Sequence, residues 1–330
     1  MRALTYDRYT DAAGLRFTDQ PVPEPGDGRV RVRVIAAGLN PFDWHMHRGE
    51  PWIMRMQEGF RFDGVRTAGA DVAGIVDAVG TAVTALAVGD RVLGSMGGGA
   101  LAEFAVAKAG AFARLPDGVS WEDAAATPMA GLTALQGLRD GGGLRDGGSV
   151  LVWGASGGVG HLAVQLARVL GALRVDAVCS PRTGDLVRGL GADRVFDYTK
   201  GEPGSGVGQG DYDIVLDTVA TAPIARLRRL LRRGGRVVMV GGLSRGRVLG
   251  PLSSLVTRTV AGNVRRVDAR GLMARVDASD LELLAGWLAA GAIAPVVQEV
   301  LPFDRAVEAL EIVERGHVAG KVVVRVTGDG

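Results

Sequence analysis

Between residues 151 and 163 the chain reads Leu-Val-Trp-Gly-Ala-Ser-Gly-Gly-Val-Gly-His-Leu-Ala, an apolar strand-like run that breaks into glycines and then opens a helical pattern. Gly154, Gly157 and Gly160 stand three apart. Glycine permits the tight turn and lets backbone N–H groups approach a pyrophosphate at the positive end of the following helix. The segment therefore predicts a β/α unit that holds a dinucleotide, with Gly154, Ser156, Gly157, Gly158, Val159 and Gly160 around the phosphates. A glycine triplet without context carries little weight. The competing interpretation is a glycine-rich turn with no ligand.

The surroundings supply the context. Strand-like runs at Val150–Trp153, Val175–Cys179, Val195–Phe196, Ile214–Asp217 and Arg236–Val240 alternate with helical patterns such as His161–Leu170 and Pro223–Leu231. Such alternation predicts a doubly wound parallel sheet. The first third of the chain differs. Val30–Ala36 alternates apolar residues with Arg at strand period, and Ala73–Val79 and Arg91–Leu93 are short apolar runs between turns. This third predicts a compact barrel-like unit. Ser120 followed by Glu122 and Asp123 predicts a helix start, with an Ala-rich helix through Leu138. Lys200–Asp211 predicts a surface loop, Phe303–Arg315 an amphipathic helix and Lys321–Val326 a last strand. The 330 residues, 47% of them apolar, suit two lobes with sizeable cores.

The second strand bears on which dinucleotide is held. A carboxylate that binds the adenosine ribose stands about 20 residues after the glycine turn, at the end of that strand. Here the strand ends in Cys179-Ser180-Pro181-Arg182, with no acid; Asp176 lies inside the strand and is discounted. Ser180 and Arg182 suit a 2′-phosphate, by hydrogen bond and by charge, and Tyr198 and Lys200 are further candidates. The expected cofactor is NADP(H). The alternative is that these are exposed turn residues.

Several classes of function fall away. A net charge of +2 leaves no nucleic-acid footprint. The single cysteine, Cys179, excludes intrachain disulfides and thiolate zinc clusters. No stretch approaches the roughly 18 apolar residues of a membrane span, and residues 1–7 carry no signal-peptide pattern. The expectation is a cytosolic protein that binds neither membrane nor nucleic acid.

An ordered set of motifs adds to this reading. Gly38-Leu39-Asn40-Pro41-Phe42-Asp43 with Arg48-Gly49 is followed by Gly69-Ala70-Asp71-Val72-Ala73-Gly74-Ile75-Val76, Val79-Gly80 and Val88-Gly89-Asp90-Arg91-Val92. Ala124–Gly131 with Leu132-Thr133-Ala134, the glycine turn, Leu190-Gly191-Ala192-Asp193, Asp197-Tyr198 and Gly320-Lys321-Val322-Val323 complete it. Over nearly the whole chain this set resembles the medium-chain dehydrogenase/reductase superfamily, in its zinc-independent quinone oxidoreductase and enoyl reductase branch. The resemblance implies an α/β fold: a GroES-like β-barrel catalytic domain over residues 1–122, a Rossmann domain over 123–291, and a segment, 292–330, returning to the first. It also implies a homodimer with its cofactor in the cleft between the domains.

Zinc-dependent members hold metal with Cys, His and Cys or Asp. The matching positions here are Asn40, Ala70 and Met129, so no metal is expected. The chemistry implied is hydride transfer from NADPH to a quinone or an α,β-unsaturated carbonyl, driven by orientation and by hydrogen bonds to the developing enolate oxygen. The resemblance puts Asn40 beside the nicotinamide, although Asn40 also reads as a plain turn residue. Thr133, Val219, Gly241, Gly242, Leu243 and Lys321 join the cofactor-binding set. His45 stands where related quinone reductases carry Tyr or Lys, and is a candidate proton donor or a surface histidine without a role. Trp44, Trp52, Met54 and Phe60 belong to an apolar cluster expected to form a lid over a hydrophobic or aromatic small-molecule substrate. A specialised biosynthetic reductase, a non-catalytic NADPH sensor and a zinc alcohol dehydrogenase are the rival readings.

Overall fold

The computed structural model describes residues 1–50, 55, 64–200, 210–220, 222–240 and 268–328. The chain divides into two compact units, one of residues 1–132 and 276–330 and one of residues 133–275. The expected boundaries near 122 and 291 thus fall at 132 and 275.

The first unit begins with β1 (Arg2–Tyr6), β2 (Arg16–Asp19), β3 (Arg29–Leu39) and α1 (Pro41–Arg48). It continues with β4 (Arg66–Thr67), β5 (Asp71–Val79), β6 (Arg91–Ser95), β7 (Phe104–Lys108), β8 (Phe112–Arg114), α2 (Trp121–Ala126) and α3 (Pro128–Gln136). Strand β3 shows how the sequence does this. Val30, Val32 and Val34 are fully buried while Arg31 and Arg33 are partly exposed, the period-2 signature of a half-buried strand. From Ile35 to Leu39 both faces are buried. At α2, Ser120 Oγ accepts the Asp123 N–H at 3.1 Å, a side-chain cap on the first turn. The one Ala-rich helix expected there is two: Pro128 lacks the N–H that would continue α2, so α3 starts afresh and ends in a π-helical turn, Gly137–Gly141.

The second unit carries β9 (Ser149–Trp153), α4 (Gly160–Val169), β10 (Arg174–Cys179), α5 (Gly184–Gly189), β11 (Arg194–Asp197), β12 (Tyr212–Asp217), α6 (Ile224–Leu230), β13 (Leu231–Val240) and β14 (Asp268–Leu272). The strands form one sheet in the order β11-β10-β9-β12-β13-β14, every pair parallel. All five residues of β9 are buried, as a central strand covered on both faces requires. Strand order reverses between β9 and β12, and in such sheets ligands bind outside the carboxyl ends of the strands at that switch point.

The return to the first unit brings α7 (Ala278–Ala289), β15 (Val297–Pro302), α8 (Ala306–Arg315) and β16 (Lys321–Arg325). Helix α7, whose Leu281, Leu284, Ala285 and Leu288 are buried at helical spacing behind an Asp277 cap, and strand β15 are not among the expected elements. The returning strands add to the barrel-like sheet, ordered β15-β16-β3-β5-β6-β8 with β7 on β3. Strand β16 pairs antiparallel with β3, setting Val322 opposite Leu39. That register puts Lys321 at the start of β16 beside Asn40 at the end of β3.

Candidate functional site

In the second unit the glycine turn joins β9 to α4. Gly154 has φ +83°, a left-handed conformation that disfavours residues with a Cβ. A Cβ on Gly160 would lie 2.1 Å from the Gly154 carbonyl oxygen, so the turn closes only with glycine there. At Gly157 the nearest atom to a Cβ would be the same oxygen at 3.5 Å, which leaves open space on the side a phosphate would approach. This cradle fits a pyrophosphate at the start of α4. His161 is fully buried, and its Nδ1–H donates to the Gly157 carbonyl at 2.9 Å, pinning the turn from inside. Thr218 and Val219, just beyond β12, stand over Gly154, with Thr218 Oγ1 donating to the Trp153 carbonyl at 2.8 Å. Asp217 Oδ1 accepts the Val219 and Ala220 N–H groups and fixes that segment.

At the ends of β10 and β11 lies a cavity of about 380 Å³, lined by Ser180, Pro181, Gly184, Arg188, Val195, Phe196, Asp197 and Lys200. Two of its walls are cationic. Asp197 is a third charge, with Oδ1 accepting from the Thr199 N–H and hydroxyl at 2.8 and 2.7 Å, contacts that hold its carboxyl below the usual range. Ser180 is where the sequence expects it, whereas Arg182 is exposed on the 3-10 turn Pro181–Thr183 and does not line the cavity. Arg188, one turn into α5, does; nothing in its local sequence separates it from any solvated helical arginine. Tyr198 follows β11 and is 41% exposed. Asp176 is fully buried, its Oδ2 taken by Arg194 at 2.7 and 3.0 Å and Tyr212 at 2.6 Å, so it cannot serve a ribose. Thr133 is buried near the start of this unit.

The first unit holds a buried polar cluster. Asn40 precedes α1 as its N-cap and is 4% exposed. Its backbone N–H donates to Asp43 Oδ2 at 2.7 Å, and its Nδ2 donates to Asp71 Oδ2 at 2.8 Å. Lys321 Nζ donates to Asn40 Oδ1 and, at 2.7 Å, to the Leu39 carbonyl. The Met129 N–H, at the start of α3, donates to both Asp71 oxygens at 3.1 and 3.2 Å. Asp43, Asp71 and the Lys321 amine thus share a site closed to water. Burial pushes the Asp43 carboxyl up to about 7, with the Asn40 N–H opposing it and the Asp71 charge adding to it. Burial also raises Asp71 and lowers Lys321. Asn40 and Met129, two positions matched to metal ligands, do meet here, joined through Asp71. Lys321, expected among the cofactor contacts, has its ammonium enclosed in this cluster, 2% exposed. Asp71 was missed; a charged residue inside an otherwise apolar strand run was the available signal.

His45 lies on α1 with Nδ1 2.6 Å from the Glu50 carbonyl. A carbonyl only accepts, so Nδ1 carries the hydrogen and Nε2 is an acceptor in the neutral ring. Burial lowers the His45 pKa and favours that neutral form. The Trp44 ring stacks on His45, centroids 3.6 Å apart, and packs half-buried on the barrel core rather than standing out as a lid. Trp52, Met54, Phe60, Gly241, Gly242 and Leu243 lie outside the described residues. Among the described residues no three His, Cys, Asp or Glu side chains converge as metal ligands, and no helix is long and apolar enough to cross a membrane.

Comparison with known proteins bears on all of this. The model of the alcohol dehydrogenase GroES-like domain matches residues 26–117, and that of the zinc-binding dehydrogenase matches residues 190–324. The chain is 35% identical to the chloroplastic quinone-oxidoreductase QR1 of Triphysaria versicolor over 98% of each chain. It is 31% identical to the chloroplastic NADPH-dependent alkenal/one oxidoreductase of Arabidopsis thaliana, over 98% of this chain and 79% of that one. The solved quinone oxidoreductase from Coxiella burnetii superposes with a TM-score of 0.87 at 27% identity, covering 99% of both chains. A mycobacterial structure complexed with NADPH superposes at 0.79 and 28% identity, over 99% of this chain and 100% of that one. These relatives correct one expectation. The absence of a signal-peptide pattern pointed to the cytosol, yet relatives matching along nearly the whole chain are chloroplastic, so the cytosolic placement does not stand. The α/β fold with GroES-like and Rossmann parts, the match along nearly the whole chain and the phosphate-cradling turn agree: this chain is an oxidoreductase that uses a nicotinamide cofactor, and it belongs to the zinc-independent quinone oxidoreductase and enoyl reductase branch of the medium-chain dehydrogenase/reductase superfamily.

Proposed function

We propose that the chain reduces a quinone or an α,β-unsaturated carbonyl with NADPH, without a metal. The observation that carries the cofactor preference is the cavity at the ends of β10 and β11, where Arg188 and Lys200 flank Ser180. Two cations and a hydroxyl suit a 2′-phosphate, and the Asp197 carboxylate has one oxygen engaged by Thr199. The acceptor class follows from relatives named as quinone and alkenal/one oxidoreductases.

When bound, NADPH supplies the hydride. The residues of the chain bind and orient. The Gly154–Gly160 turn receives the pyrophosphate, Arg188, Lys200 and Ser180 the 2′-phosphate, and Val219 and Thr133 flank the path toward the nicotinamide. Asn40 is the residue that the family resemblance assigns to the nicotinamide ring. His45, neutral with its Nδ1–H given to Glu50, offers Nε2 as an acceptor; it delivers a proton only after taking one up, so its contribution grows as pH falls. The protein works as a homodimer, which sedimentation at micromolar concentration checks.

The test is NADPH and NADH oxidation followed against a panel of quinones and enones, with metal content measured by elemental analysis. Turnover with NADPH preferred and no stoichiometric metal is the expected result. No turnover with any acceptor, or one zinc per chain, overturns the reading.

A further inference from the structure

The proposed chemistry leaves Lys321 and Asp71 without a task, yet both are buried against Asn40 and hold it from opposite sides. An asparagine amide is nearly symmetric in shape, and in a buried site its two orientations differ only in which end donates. Here the neighbours are unambiguous. Lys321 Nζ has hydrogens and no lone pair, and it meets Oδ1. The Asp71 carboxyl meets Nδ2 through Oδ2 at 2.8 Å, and both of its oxygens already accept the Met129 N–H, so it faces the amide as an acceptor. The second Nδ2 hydrogen faces the Gly38 carbonyl at 3.4 Å. Flipping the amide would set ammonium against NH₂ and carboxylate against carbonyl in a site that water does not reach. Lys321 Nζ and Asp71 Oδ2 are 3.8 Å apart, so the two ions also compensate one another.

We propose that Lys321, paired with Asp71, is a positioning residue that locks the Asn40 amide in one orientation and commits it to act toward the nicotinamide as an acceptor only. Both amide hydrogens are directed inward, which leaves one lone pair on Oδ1. Asn40 therefore does not donate to a developing enolate oxygen; it accepts from a donor such as an amide N–H. This rests on Asn40 standing beside the nicotinamide.

A double variant, by itself and placed on Asn40→Ala, tests it. Lys321→Met leaves Asp71 buried and unpaired and can fail to fold for that reason alone. The double variant Asp71→Asn with Lys321→Met removes both charges at similar volume, and its thermal melt shows whether it folds. In ¹⁵N-labelled protein without cofactor, the Asn40 Nδ2 proton pair, assigned by its loss in Asn40→Ala, should be a single slowly exchanging pair. In the double variant it should exchange fast or split into two sets. In turnover, the double variant should fall about tenfold in kcat, the loss of one buried hydrogen bond, with little change in cofactor KM. Placed on Asn40→Ala, the same two changes should cost no further kcat. Unchanged Asn40 amide signals in the folded double variant overturn the proposal, as does an equal loss of kcat with and without Asn40. Asn40→Ala turning over at the wild-type rate overturns the placement of Asn40 itself, and the proposal with it.

Discussion

Single residues decide what this protein accepts as cofactor. Gly157 faces open space on the phosphate side of its turn, so Gly157→Asp sets a carboxylate against the pyrophosphate. Calorimetry should detect no cofactor binding to that variant, and full binding would give the turn another purpose. Arg188 lines the cavity and Arg182 does not. Arg188→Ala should raise the KM for NADPH by about ten- to a hundredfold and leave that for NADH unchanged, since a charge-assisted phosphate contact contributes about 1.5–3 kcal/mol. Arg182→Ala should change the ratio of the two KM values much less. An equal effect of both substitutions would show that the 2′-phosphate is read by charge at a distance. The sequence pointed at Arg182 because it counted from the strand end. Only folding of α5 over β10 and β11 brings Arg188 to the cavity.

At the scale of elements, the sites are held where an element begins. Gly160→Ala sets a Cβ 2.1 Å from the Gly154 carbonyl, so α4 can no longer start where it does. An overpacking cost of about 1–3 kcal/mol, read as a lower melting temperature together with lost cofactor binding, is expected. Helix α1 carries the pH behaviour. Asp43 titrates at about 7 in the folded protein and near 3.8 when unfolded, because burial disfavours its charge. Between those values the native state holds more protons than the unfolded chain. Asp43 therefore lowers stability as pH rises through that window, and its contribution is most favourable below 3.8. His45 and His47, both lowered by burial, act in the opposite sense and lose stability as pH falls below 6.5. Asp43→Asn keeps an acceptor for the Asn40 N–H and removes the opposing slope. Its melting temperature should climb more steeply between pH 5 and 7 than that of the wild type. Parallel profiles would mean that Asp43 is already ionised across this range. None of this was legible in the sequence, where Asp43 stood only as the last residue of the Gly38–Asp43 motif.

For the molecule as a whole, cofactor binding and folding are one equilibrium. NADPH at a hundredfold its Kd should stabilise the native protein by about 2.7 kcal/mol, and NADH at the same concentration should do less. Thermal melts with each cofactor read the difference directly, and identical shifts would remove the preference for NADPH. Much of the architecture was readable in advance for a physical reason. Parallel strands buried on both faces must be apolar runs, the turns between them must carry glycine, and a half-buried barrel strand must alternate, as Val30 to Val34 do. Elements that lack such a constraint stayed invisible, including β15 and the break of the Ala-rich segment into α2 and α3.

Local sequence by itself determined the dinucleotide turn, because the constraint there is backbone conformation: Gly154 must adopt φ +83° and Gly160 must lie against the Gly154 carbonyl, and only glycine does both. It also showed the change of hydrophobic period between an alternating, half-buried strand and parallel strands buried on both faces. What the tertiary structure alone decided is the state of the charged groups. Lys321 read as a cofactor contact and His45 as either a proton donor or a surface histidine without a role, since a side chain in sequence is only a type. Packing β16 against β3 buried the Lys321 ammonium between Leu39, Asn40 and Asp71, and the fold of α1 gave the His45 Nδ1 hydrogen to Glu50. Ionisation and hydrogen-bond direction follow from burial and from neighbours that stand five residues away for His45 and Glu50 and 281 away for Lys321 and Asn40, and those are fixed only when the chain is folded.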